Sequence, residues 1–270
     1  MVVSASIVLY NSDFSDISKI LKSLNPSIQV FLIDNSPECN SNKFTGLENI
    51  RYFHYPSNLG FGAGHNVAIC KALESHSSYH FIINPDIFFE ISVVDELVRY
   101  MISDETIGMV MPQILNIDNS VQFLPKLLPS PFDLLICKIK KPFSYYIDFI
   151  EKYELRNIGK DKIINVPIIS GCFCLLNMNA IKQIGSYDEV FFMYFEDWDL
   201  SRRINSKYKT IYYTKVSVYH KYKSEANINF RLFLIFISSA IKYFNKWGWF
   251  FDRDRKKINN NVLMNLNKVK

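Results

Sequence analysis

The chain has 270 residues, 49% of them hydrophobic and 15% aromatic, enough for one large globular core and without the low-complexity tracts or repeats of fibrous and solenoid proteins. Its net charge of +5 is divided unevenly: residues 230–270 hold nine Lys and Arg against two Asp, hence +7, leaving −2 on the first 229. Five cysteines, an odd number at irregular spacing, exclude a disulfide framework, and nothing at the N-terminus reads as a secretory leader, so a reducing cytosolic compartment is expected.

The first hundred residues alternate strand and helix patterns. Apolar runs at 5–10, 28–33, 50–54 and 79–83 predict strands. Between them, 14–24 and 64–75 predict helices, and Ser92-Val-Val-Asp95 has the spacing of a capping box opening a third. Such alternation means βαβ units and a mostly parallel sheet flanked by helices, an α/β fold. Residues 107–114 predict a further strand. Residues 115–165, broken by Pro125, Pro129, Pro131 and Pro142, show no clean period and read as an irregular excursion. A buried strand over 166–177 is interrupted at Gly171, and 191–204 is aromatic first and helical afterwards. Residues 208–221 predict two short strands ending at His220. The helical pattern of 230–251 has a longest apolar run of six residues, short of the roughly 20 that span a bilayer.

In open parallel sheets, ligands bind outside the carboxyl ends of the strands. Asn11, Asp34 and Asp86 end successive strands and so converge on one edge. Asn84-Pro85-Asp86 by itself is also an ordinary turn opener. Asn58-Leu-Gly-Phe-Gly-Ala-Gly-His65 lacks the third glycine of the dinucleotide fingerprint and follows the third strand, which argues against an oxidoreductase. A glycine loop entering a helix does suit an anionic ligand, with Asn58 and His65 either lining its pocket or serving the fold. Glu196, Asp197 and Asp199 crowd one first helical turn, where acids ordinarily serve the macrodipole, and Asp199 with Arg203 forms an i,i+4 pair. Trp247, Trp249, Phe250 and Phe251 beside Lys246, Arg253, Arg255, Lys256 and Lys257 make the C-terminus either a packed helix with a solvated tail or an interfacial membrane anchor. No nucleic-acid recognition motif accompanies that charge.

Taken in order, "SIVLYNS", "FLIDNS", "NLGFGAGHNVAI", "FIINPDIFF", "SGCFCLLN" and "GSYDEVFFMYFEDWDLSRRI" resemble the family 2 glycosyltransferases, above all the rhamnosyltransferase branch of bacterial surface-polysaccharide enzymes. The resemblance spans residues 4–222. It implies a GT-A fold over 1–228, with a nucleotide-sugar half at 1–112 and an acceptor and catalytic half at 113–228, followed by a basic amphipathic helix and tail at 229–270. It implies an inverting mechanism and a divalent cation, Mg²⁺ or Mn²⁺. The general Asp-x-Asp motif stands here as Asn84-Pro85-Asp86, a variant common in the rhamnosyl branch, leaving Asp86 as the single motif carboxylate for the metal or diphosphate. By the same resemblance Asp34 contacts the donor nucleoside, or else closes an Asx-turn. Tyr10 and Asn11 line that pocket, and Asn58, His65, Asn84 and Gly171 belong to the donor site. His220 is a second metal or diphosphate ligand, or an ordinary core histidine, and Lys221 and Lys223 are point charges for the phosphates. Asp197 becomes the base, with Glu196 orienting the acceptor behind an aromatic wall of Phe191, Phe192, Tyr194 and Phe195.

The expected partners are a nucleotide-sugar donor, dTDP-rhamnose favoured, and a lipid-linked oligosaccharide acceptor at the inner face of the plasma membrane. A UDP-hexose-dependent enzyme of the same fold and a catalytically silent scaffold in polysaccharide assembly are the alternatives. A nucleotidyltransferase would need a glycine- and basic-rich loop after the first strand, and Tyr10-Asn-Ser-Asp-Phe-Ser-Asp16 has none.

Overall fold

Every strand of the N-terminal half is a short apolar run closed by a polar residue, and each ends where the sequence turns polar. In the computed structural model, which describes residues 1–44, 46–139, 143–159, 161–221 and 230–268, these runs are β1 (Val3–Leu9), β2 (Gln29–Asp34), β3 (Ile50–His54) and β4 (Tyr79–Ile83). They lie parallel in the order β3-β2-β1-β4. The crossovers are α1 (Phe14–Ser23), whose N-cap Asp13 accepts from the Ser15 N–H, and α2 (Phe61–Glu74). The interiors of β1, β2 and β4 are buried, as in parallel sheets covered by helices, while the edge strand β3 is only partly covered.

Past β4 the chain makes the two-residue β5 (Ile87–Phe88), α3 (Ile91–Ile102) and β6 (Ile107–Leu115). It then continues through α4 (Pro131–Ile139), α5 (Phe143–Tyr153) and β7 (Ile163–Asn165). Next come β8 (Phe173–Asn177), α6 (Met178–Ile184), α7 (Glu196–Asn205) and β9 (Lys209–His220). The nine-stranded sheet runs β3-β2-β1-β4-β8-β6-β9-β5, with β7 on β9. Strand β8 lies antiparallel between β4 and β6, and β5 and β7 lie antiparallel to β9, so the sheet is mixed, with four parallel and four antiparallel pairings among the described strands.

Several boundaries differ from the sequence expectation. Residues 115–165 are not irregular throughout but hold α4, α5 and β7. Helix α3 opens at Ile91 with Glu90 at the cap position, so the Ser92–Asp95 spacing falls inside its first turn and caps nothing. The run 166–177 is a regular strand only from Phe173. Residues 208–221 form one strand whose register with β6 slips between Tyr213 and Ser217, not two strands. The helical pattern of 230–251 divides at Gly248 (φ 99°) into α8 (Phe230–Trp247) and α9 (Arg253–Lys268). The expected boundary at 228/229 and Lys223 lie outside the described residues.

Helix α8 is packed onto the body through Tyr243, Phe244 and Ala240, which bury Phe191 and Phe195. Arg202 of α7, stacked 4.1 Å from the Trp247 ring, makes two 2.7 Å bonds to Asp252, and both side chains are only 4% exposed. Breaking a buried ion pair of this kind costs about 3–5 kcal/mol. Among the described residues no helix is long and apolar enough to cross a membrane.

Candidate functional site

Backbone pairing brings the first two chemical groups together. In the β5–β9 ladder Ile87 faces His220, and the Lys221 N–H donates to the Asp86 carbonyl at 3.0 Å. The Asp86 carboxylate therefore meets the His220 ring, with Oδ1 3.3 Å from Nε2. Gln122 fixes that ring from behind: His220 Nδ1 lies 3.0 Å from its Oε1, and its Nε2 donates to the His220 carbonyl at 3.0 Å. Burial alone would lower the His220 pKa, but Asp86 and the Cys172 thiol beside it more than offset this and push it up to about 10. Surroundings that hold a proton between Nε2 and Oδ1 equally favour a cation there.

The donor set fits a divalent cation. Asp86 Oδ1 and, two residues before it, Asn84 Oδ1 are buried oxygens without a well-aligned donor among the described residues. Carboxylate and amide oxygens with one imidazole suit Mg²⁺ or Mn²⁺, which take few protein ligands and leave positions for phosphate oxygens. A ring whose second nitrogen is held by an amide is the usual outer support of a metal-bound histidine.

The second group sits on α7. Its first residue, Glu196, follows two consecutive left-handed residues, Tyr194 and Phe195, both at φ 68°. Bulky side chains rarely adopt this conformation, which costs on the order of 1–3 kcal/mol each. Packing over-determines the turn: Phe195 is 2% exposed between Trp198, Phe236 and Tyr243, and the Ser239 hydroxyl donates to the Met193 carbonyl at 2.8 Å. The Asp197 carboxylate accepts the Gly171 N–H at 3.1 Å and the Trp198 N–H at 2.9 Å. Burial lifts its pKa, these backbone donors offset only part of the rise, and Asp197 stands at about 6. Glu196 is 5% exposed, its Oε2 has no partner among the described residues, and burial together with Asp197 raises its pKa well above the carboxylate range. Asp199 is structural: it bonds Arg203 at 2.7 Å, Trp247 Nε1 at 2.9 Å and Lys246 Nζ at 2.8 Å.

Gly171 and Cys172 join the two halves. The Gly171 N–H holds Asp197, while the adjacent Cys172 carbonyl accepts the Asn84 N–H at 2.8 Å. A side chain at Gly171 would meet the Phe61 ring at 3.0 Å and the Asp197 Cβ at 3.4 Å, so the close approach needs glycine.

Farther along the same edge, a cleft of about 420 Å³ opens where β1 and β2 end, lined by Leu9, Asn11, Asp34, Asn40 and Lys43 among others. Asp34 Oδ1 accepts the Ser36 N–H at 2.9 Å, which is the Asx-turn, while Oδ2 accepts Tyr52 Oη at 2.6 Å and Asn40 Nδ2 at 3.3 Å. Burial opposes ionisation of Asp34, and these donors outweigh it and lower its pKa. A carboxylate has about four acceptor sites, so Asp34 keeps capacity for one further donor.

Other expected site residues fall elsewhere. His65 is buried away from the cleft, with Nδ1 2.8 Å from the Ser6 hydroxyl, because α2 begins at Phe61 and turns it inward. Asn58 is exposed and accepts the Gly60 N–H at 2.9 Å, shaping the turn at Gly60. Tyr10 is 52% exposed and does not line the cleft. Lys221 pairs with Asp16 at 3.5 Å. Of the aromatic wall, Phe191 and Phe195 face α8 and not the site edge. Nothing local in the sequence distinguishes Gln122 and Tyr52.

Glycosyltransferases are among the solved structures that share this arrangement of sheet and helices. GalNAc-T7, determined with UDP, GalNAc and Mn²⁺, superposes over 83% of this chain and 44% of its own, with a TM-score of 0.58 and 14% identity. The mannosyltransferase PcManGT of Pyrobaculum calidifontis, in complex with GDP-Man and Mn²⁺, covers 89% of this chain and 64% of its own at TM-score 0.55 and 13% identity. The fold is GT-A. A fragment of S. aureus TarS shares this GT-A architecture, at TM-score 0.54 and 12% identity over 88% of this chain and 65% of its own. In sequence, the GT-A chain is similar to the N-acetylglucosaminyl-diphospho-decaprenol L-rhamnosyltransferases of two Mycobacterium tuberculosis strains, each 25% identical over 181 residues. The match takes in 64% of this chain and 59% of theirs, so the chain spans less than two thirds of the curated relatives it matches. No protein-family model matches it.

Proposed function

We propose that this chain is an inverting family 2 glycosyltransferase that moves L-rhamnose from dTDP-rhamnose to a lipid-linked saccharide of a bacterial surface polysaccharide, working at the inner membrane face. The observation that carries the reading is the tie through Gly171 and Cys172. It sets a cation-ready Asp86–His220 pair and a carboxylate with a pKa of about 6 on one edge of a GT-A sheet. The likeness in sequence to rhamnosyltransferases named for a diphospho-decaprenol substrate supports the donor and the acceptor class.

Asp197 is the base. Its ionised carboxylate, held by the Gly171 and Trp198 N–H groups, takes the proton of the acceptor hydroxyl as that oxygen attacks the anomeric carbon. The anomeric carbon–oxygen bond to the diphosphate breaks on the opposite side, inverting the configuration. Asp86 and His220 would hold a divalent cation, which when bound neutralises charge on the departing diphosphate. Asp34 receives the donor nucleoside in the 420 Å³ cleft. Glu196, buried and raised, stays protonated behind the base and leaves Asp197 as the single ionising acid of the pair.

Calorimetric titration with dTDP-rhamnose, UDP-glucose, UDP-galactose and UDP-N-acetylglucosamine, each with and without Mn²⁺ or Mg²⁺, tests the proposal. Cation-aided binding of dTDP-rhamnose alone supports the donor and Asp86 together. Preference for a UDP-sugar would overturn the rhamnosyl assignment. Turnover that survives Asp197→Asn would remove the base.

A further inference from the structure

Helices α4 and α8 touch: Lys138 lies 5.0 Å from the Phe236 ring and 5.6 Å from that of Phe233, and Leu134 packs into the cluster around Tyr243. Each helix also turns an apolar stripe outward. On α4, Phe132, Leu135 and Ile139 are 60%, 51% and 54% exposed. On α8, Phe230, Leu234, Ile237 and Ile241 are between 39% and 73% exposed. At 3.6 residues per turn each set falls within roughly 60° of arc. The α8 stripe lies opposite Ser239 and Tyr243, which face the body. Scattered single apolar residues on a surface need no explanation, but an exposed apolar stripe on each of two touching helices is surface of the kind that marks an interaction face.

Charge decides what covers it. Helix α8 has no acidic side chain and carries Arg231, Lys242 and Lys246, while α4 carries Lys138 with Asp133. A second copy in a two-fold contact would set this positive segment against itself. An anionic lipid surface would neutralise it while the apolar stripes enter the acyl boundary, and the Lys and Arg stems reach back to the headgroups. With no described helix able to cross a bilayer, the contact lies in the plane of the interface.

We infer that the paired outer faces of α4 and α8 form an interfacial membrane-docking surface for anionic bilayers. The basic amphipathic segment 229–270 expected from the sequence includes α8; the structure adds α4, about ninety residues earlier in the chain, to the same surface. The inference rests on the membrane-side part of the proposed function and specifies its surface.

The test is co-sedimentation of the full chain with vesicles of phosphatidylcholine alone and of phosphatidylcholine mixed equally with phosphatidylglycerol. Wild type should bind the anionic vesicles. Leu234→Ser/Ile237→Ser and, separately, Leu135→Ser/Ile139→Ser should each lower the partition about tenfold or more. Ile102→Ser, at an exposed position of α3, should leave it unchanged. Circular-dichroism melts establish that the variants are folded. If wild type binds and both double variants bind equally well, the assigned face is wrong while the membrane reading stands. If folded wild type ignores anionic vesicles, both fall. A concentration-dependent dimer in sedimentation velocity that Leu234→Ser/Ile237→Ser abolishes would give the face to a second copy and overturn the inference.

Discussion

The pKa of Asp197 makes the pH dependence of turnover a direct test of the proposed base. With that carboxyl at about 6, roughly a tenth of the enzyme would carry an ionised base at pH 5 and about nine tenths at pH 7. An aspartate at its ordinary 3.8 would stay ionised over the whole interval. The kcat at saturating donor, cation and acceptor should therefore fall about tenfold between pH 7 and pH 5, with one inflection near 6. The same shift reads out in stability. A raised carboxyl favours the folded state while protonated, and that contribution is fully present below 3.8 and lost as pH rises through about 6. Asp197→Asn removes the ionising group but turns its amide NH2 on one of the two backbone N–H donors, a cost that does not depend on pH. The stability of the variant relative to wild type should therefore rise by roughly 1–3 kcal/mol between pH 4 and pH 8, discounted for partial exposure. Urea denaturation at the two pH values measures the change. A kcat that stays flat to pH 5, or a relative stability of the Asn variant that does not rise from pH 4 to pH 8, would refute the reasoning.

Asp86→Asn keeps the size of the side chain but removes its charge, so the cation concentration for half-maximal donor binding should rise at least about tenfold, as calorimetry at varied Mn²⁺ would show. Asp252→Ala strands the Arg202 guanidinium in a site where both partners are 4% exposed, and should cost about 3–5 kcal/mol in denaturant unfolding. Gly60→Ala would place a Cβ 2.2 Å from the Phe192 carbonyl oxygen at φ 90°, and thermal melting should show a loss of roughly 2 kcal/mol or more.

What the sequence made legible was what a few adjacent residues determine. The end of β2 at Asp34 and the turn that carries Asp86 just past β4 follow from apolar runs closed by polar residues, and Asp197 lies in a helix opening visible as Glu-Asp-Trp-Asp. The Asp199–Arg203 pair follows from spacing and appears at 2.7 Å. Supports that come from distant chain were invisible: Gln122 clamps His220 across 98 residues, and Tyr52 reaches Asp34 across 18. Helices α4 and α5 escaped notice because they show apolar residues on exposed as well as buried faces, which blurs the 3.6-residue period. Of the two roles left open for His65, the geometry matches service to the fold, because the helix after Gly60 begins one turn earlier than the glycines suggest and the ring lies in the body.

The reversed direction of β8 has a chemical effect on this edge of the sheet. The strands β2 and β4 run the same way and leave oxygen-bearing side chains at or just past their ends, Asp34, Asn84 and Asp86. Because β8 runs the other way between β4 and β6, it starts at that rim, and the chain entering it brings an amide hydrogen there. The Gly171 N–H, two residues before β8, donates to Asp197, so a strand running against both its neighbours brings an amide donor for an anion to an edge that otherwise carries carboxylates.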